Sequence, residues 1–172
     1  MKNKREILLL GMGMLCLVTL ISCNNKADEE ASVDELIIEP LVGIGPVKFG
    51  MSKEEVIKYF GPPDKVLADG AKLNYVSSRG LSFTVNSELG LQEIGCWSEG
   101  MLPSRVTTFA DKTKEGIGIG ASEDEIIAAY GQPDRTSTSS NGVIQNLHYD
   151  KISARFSLKE GKLMSMTLEA PK

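Results

Sequence analysis

The chain predicts an α+β fold of two tandem repeats, each a short helix packed on a three-stranded antiparallel meander. Three observations predict it. A helix signature recurs at a constant spacing of 70 residues, Gly50 to Asp64 against Gly120 to Asp134. Each copy opens on a Ser-x-x-Glu capping box and closes on Gly-x-Pro. Behind each copy come period-2 runs divided by turn residues, the pattern of half-buried antiparallel strands.

At the N-terminus, Lys2, Lys4 and Arg5 precede an uncharged apolar run from Ile7 to Ile21. A helix needs about 20 apolar residues to cross a bilayer, so this shorter run reads as an export signal. It closes on Leu20-Ile21-Ser22-Cys23, which resembles a bacterial lipobox. The resemblance implies cleavage of residues 1–22 and lipid on the Cys23 thiol. Residues 23–41 then form the lipidated cysteine and a flexible acidic tether, polar and without periodicity over 24–35. From Cys23 to Pro40 such a tether spans about 20–25 Å. Asn24 stands where enteric retention signals carry Asp, which implies the outer membrane, facing the periplasm.

The leader removes Lys2, Lys4, Arg5 and Glu6 from totals of 19 basic and 23 acidic residues, leaving 16 against 22, a formal −6. An acidic chain without basic clusters argues against nucleic acid, whose phosphates need grouped Lys and Arg. It argues equally against a polybasic grip on anionic lipid, so membrane contact is expected through the lipid on Cys23. Cys16 leaves with the leader and Cys23 is committed to lipid. Cys96 therefore has no partner in the chain. It reads as a small buried thiol or as one half of an intermolecular disulfide.

The first module covers 42–97, a linker 98–114, and the second module 115–170. Ser52 and Ser122 are the expected N-caps, with Glu55 and Glu125 completing each box. Val56, Ile57 and Phe60 form one apolar face, matched by Ile126, Ile127 and Tyr130. Gly61 and Gly131 are expected to end the helices in the left-handed conformation, with Pro63 and Pro133 preventing continuation. Helices this short are unstable alone and must dock. The strands are read at Leu73–Tyr75, Leu81–Val85 and Ile94–Cys96, answered by Leu147–Tyr149, Ala154–Leu158 and Met166–Leu168. A leading strand is open to Pro46–Phe49. A module of this size has a small core, so the two are expected to share a sheet or to pack sheet on sheet.

Gly50-Met51-Ser52-x-x-Glu55-Val56, Gly61-x-Pro63, Tyr75, Phe83-x-Val85, Gly90 and Ile94 resemble the BamE (SmpA/OmlA) lipoprotein pattern. The second copy matches more loosely, with Ala121 for Met and Gln132 inside its Gly-x-Pro. The doubling is similar to the β-lactamase inhibitor protein (BLIP) architecture, although that group uses disulfides this chain cannot form. The resemblance implies a scaffold in outer-membrane protein assembly or envelope integrity, or an inhibitor of a secreted or envelope hydrolase.

No catalytic or metal constellation stands out. His148 is the only histidine and lacks convergent partners, so an exposed strand residue is expected. Glu54/Glu55 and Glu123/Asp124/Glu125 fall in first helical turns, where the dipole favours negative charge. Gly116-Ile-Gly118-Ile-Gly120 lacks the third glycine and preceding apolar strand of a dinucleotide loop, since Glu occupies 123. Trp97, Met101, Leu102 and Phe109, in and beside the linker, either anchor an interface or plug the seam between modules. A non-enzymatic lipoprotein with an envelope protein partner is therefore expected, with no cofactor, metal or nucleic acid. A glycan binder is disfavoured by an aromatic content of 6%.

Overall fold

The strands predicted as two meanders join into one eight-stranded antiparallel sheet. The computed structural model describes residues 36–101 and 105–172; the leader, Cys23, the tether to residue 35 and Leu102 lie outside them. Three two-residue strands, β1 (Ile38–Glu39), β2 (Gly43–Ile44) and β3 (Val47–Lys48), form a small sheet in sequence order. Helix α1 (Lys53–Phe60) leads to β4 (Lys65–Leu67) and β5 (Lys72–Tyr75). One helical turn, α2 (Val76–Arg79), precedes β6 (Leu81–Asn86) and β7 (Gly90–Trp97). Helix α3 (Glu123–Tyr130) is followed by β8 (Arg135–Thr138), β9 (Ile144–Tyr149), β10 (Ala154–Lys159) and β11 (Lys162–Glu169).

The eight long-sheet strands run β4-β5-β6-β7-β11-β10-β9-β8. This overturns the expected pair of helix-on-three-stranded-meander modules: the protein is mostly β, and the described residues hold three short helices. Each repeat contributes four strands rather than three. The added strands, β4 and β8, are the sheet edges, and β8 is exposed at every position. An edge with no buried face has no apolar alternation to read. The halves join where β7 pairs antiparallel with β11, Cys96 opposite Met166 and Ile94 opposite Leu168. That pairing satisfies backbone groups at the most buried place in the fold. The expected leading strand is β3, and it belongs to the small sheet.

One contiguous core follows. Phe60, Tyr75 and Phe83 cluster in the first half, and Tyr130, Tyr149 and Phe156 repeat the cluster in the second. Ile38, Ile44 and Val47 of the small sheet join the same core. Both signature motifs serve this packing. Tyr75 Oη donates to Gly61 O at 2.7 Å, and Tyr149 Oη to Gly131 O at 2.9 Å, tying each helix end to the sheet. Asp64 Oδ2 accepts from Ser78 N–H at 2.9 Å, and Asp134 Oδ2 from Asp150 N–H at 2.7 Å, holding the turns after β5 and β9. Gly61 and Gly131 have φ of 74° and 81° but ψ of −171° and −169°. The helices thus end in a glycine-only extended geometry, not the left-handed helical one expected.

Both capping boxes form. Glu55 Oε2 accepts from Ser52 N–H at 2.8 Å, and Glu125 Oε2 from Ser122 N–H at 2.7 Å. The backbone N–H bond, then the serine hydroxyl, holds each carboxyl below its ordinary 4.5. The unfolded chain therefore takes up protons first as pH falls, and this stabilisation is present above 4.5 and lost below it. Replacing Glu55 and Glu125 together by glutamine is expected to lower stability at neutral pH. It should also flatten the decline below pH 4.5, as urea midpoints at successive pH values would show.

Candidate functional site

Strand alternation gives the long sheet two unlike faces. Tyr75, Leu81, Cys96, Met166, Phe156 and Leu147 lie in one cross-strand row and point into the core, on the side where α1 and α3 pack. The residues between them form the opposite face. Its side chains hydrogen-bond one another: Thr84 to Glu93, Arg155 to Thr167, Ser157 to Asn146 and Ser137 with His148. We call this the open face; Ser82, Ser157, Ser165 and Thr167 on it are themselves buried, whereas Arg135 and Arg155 are exposed.

Trp97 lies on this face, at the end of the middle strand β7. Its Nε1–H donates to Ser82 Oγ at 3.0 Å, and Lys72 Nζ stands 6.0 Å from the ring centroid. The indole lies over Gly95, where an added Cβ would come within 2.9 Å of Trp97 Nε1 and 2.7 Å of Ser82 Oγ. Glycine is thus what allows the ring to lie flat on the strands. The result is a half-buried aromatic platform, fixed on both its polar and apolar sides before any partner arrives.

From Gly95 the same row continues through Thr167 and Arg155 to His148 and Arg135. His148, expected to be exposed, is partly buried between the two arginines. Burial first, then Arg135 and Arg155, holds its imidazole below the ordinary 6.5, while Asp150 and Glu169 act in the opposite sense. These groups border a cleft of about 680 Å³ at the end of the face.

The other candidates scatter. Phe109 is 3% exposed and belongs to the core, so it offers no surface; its N–H donates to Trp97 O at 2.9 Å, beside the β7–β11 junction. Met101 is half-buried in the following turn, and Cys23 and Leu102 lie outside the described residues. Cys96 is fully buried and unpaired by any disulfide, and burial pushes its thiol far up, away from the reactive thiolate. Gly116 and Gly120 belong to turns leading into α3. Among the described residues no group of three or more His, Cys, Asp or Glu is placed to hold a metal. Sequence reasoning passed over Ser82, Gly95, Arg135 and Arg155. Their only signal was polar character at alternate strand positions, which does not say which strands become neighbours.

No family model matches the chain, and no curated protein matches it. Among solved structures the chain is similar to YjgB, a DUF4309 family protein from Bacillus subtilis subsp. subtilis strain 168. The two share 16% identity with a TM-score of 0.47, over 70% of this chain and 78% of that one. At that level the likeness assigns neither family nor function. The BamE and BLIP resemblance rests on the motif residues.

Proposed function

We propose that the protein is a non-enzymatic lipoprotein of the cell envelope that docks another protein on the open face of its sheet, around Trp97. The observation that carries this reading is the platform itself. A large indole is held half-buried on a polar face, locked by Ser82 and seated on Gly95. Aromatic side chains dominate binding energy at interface centres, and a preset rotamer reduces the entropy lost on binding. The lipobox-like leader supports the envelope address, because lipid on Cys23 would concentrate the protein at a membrane.

In-cell cross-linking and capture tests the reading with the natural chain, Trp97→Ala and Cys23→Ala. Trp97→Ala is expected to lower partner recovery at least tenfold while the chain stays folded. Cys23→Ala should lower recovery of a membrane-resident partner such as a β-barrel assembly component. Undiminished capture by Trp97→Ala would sink the docking reading. Capture of a single hydrolase by both the natural and Cys23→Ala forms would turn the assignment to an inhibitor.

A further inference from the structure

We infer that the row running from the Trp97 indole to Arg135 is a track for an extended acidic segment of the docked protein, with carboxylates held at Arg155 and Arg135. The inference rests on the docking reading above and supplies the chemistry of the partner.

Three features carry it. The first is alignment. The indole over Gly95, then Thr167, Arg155, His148 and Arg135, lie in register on five neighbouring strands. At about 4.8 Å per strand the track is roughly 19 Å long, the span of about six extended residues. The second is charge. Arg155 donates to Thr167 Oγ1 at 3.3 Å and makes no ion pair among the described residues. Arg135 has only Asp150, at 3.8 Å with both side chains more than 60% exposed, a contact worth little. Guanidinium forks suit carboxylates, so both keep donors for one.

The third is an arrangement that opposes itself. His148 sits directly opposite both arginines, so a protonated imidazole there would face like charge on either side. The acidic groups of the chain do not resolve this. Asp150 and Glu169 border the cleft, Lys151 and Lys172 add positive charge there, and Glu93 lies opposite Glu169 across the strands and accepts from Thr84. In a chain of net −4, this cleft is lined by four basic residues, Arg135, Lys151, Arg155 and Lys172, against two acidic ones, Asp150 and Glu169. A bound carboxylate offsets the charge of the arginines and so favours the protonated form of His148.

Because His148 is the only histidine, its ring proton signals report the track without ambiguity. The test follows the His148 titration midpoint by NMR on the purified full chain in detergent micelles, with a hexaglutamate peptide as probe. Sodium chloride and inorganic phosphate, each at matched ionic strength, are the comparison arms. Hexaglutamate is expected to raise the midpoint saturably by about one pH unit, as a carboxylate within a few ångströms does. Arg155→Gln should abolish the rise, and Arg135→Gln, at an exposed edge position, should reduce it. An unmoved midpoint, or an equal rise with sodium chloride, overturns the inference. A rise with phosphate exceeding that with hexaglutamate overturns it in favour of a phosphate ligand. An unmoved His148 counts against the track even where Trp97→Ala abolishes capture. Capture undiminished by Trp97→Ala counts against docking whatever His148 does.

Discussion

Replacing Phe83 by alanine is expected to remove about 3–5 kcal/mol of stability, because it opens a cavity in the core. Phe83 is fully buried, its ring 4.9 Å from Phe60 and 5.8 Å from Tyr75. Those two partners come from α1 and β5, so the cavity would loosen the helix from the sheet. Phe156 holds the equivalent place, 5.3 Å from Tyr130 and 5.6 Å from Tyr149, and its loss should cost about as much. Phe83 and Phe156 stand on β6 and β10, three strands apart, so their effects should add. Domains are stable by about 5–15 kcal/mol, so the double variant is expected to lose cooperative unfolding. Urea denaturation of both singles and the double checks this. A single sharp transition in the double variant, within about 2 kcal/mol of the natural chain, would contradict the close packing of the two phenylalanines.

The second large effect is expected at Gly90, where alanine should cost about 3 kcal/mol or more. Gly90 opens β7 with φ of 71°, which disfavours any side chain. An added Cβ would also lie 2.1 Å from Gly50 O, a backbone atom. Gly50 and Met51 are pinned there, since Gly50 N–H donates to Leu91 O and Leu91 N–H to Met51 O. The clash therefore cannot be relieved by swinging a side chain aside. Gly161 is the internal control: its φ is 73°, but nothing lies within 4 Å of the added Cβ. Gly161→Ala should cost only the local strain, about 1–2 kcal/mol. Equal losses at the two positions, read from urea midpoints, would show that conformation rather than close approach governs Gly90.

The two helices were legible to the residue at their starts, because a capping box is a local device: four residues satisfy one another whatever surrounds them. The inner strands were legible because burial on one face imposes alternation, as at Leu81-Ser82-Phe83-Thr84-Val85. Edges were not. Lys65–Leu67 and Arg135–Thr138 bury almost nothing, and their strand character comes only from hydrogen bonds to β5 and β9. Trp97 stood out by rarity, whereas its orientation depended on Gly95 and on Ser82 in a different strand. The arginines of the track lie 20 residues apart in the chain and meet only through His148.

What the sequence determined by itself was therefore everything carried by neighbours in the chain: the repeat, its helix starts and stops, and the alternation of the inner strands. The acidic balance is read in the same way. The tertiary structure decided that β7 and β11 pair, that two four-stranded halves make one sheet, and that its second face carries an indole and a cation row in line. The physical reason is range. Caps and periodicity act over a few residues, whereas strand order is set by which buried edges find partners across tens of residues.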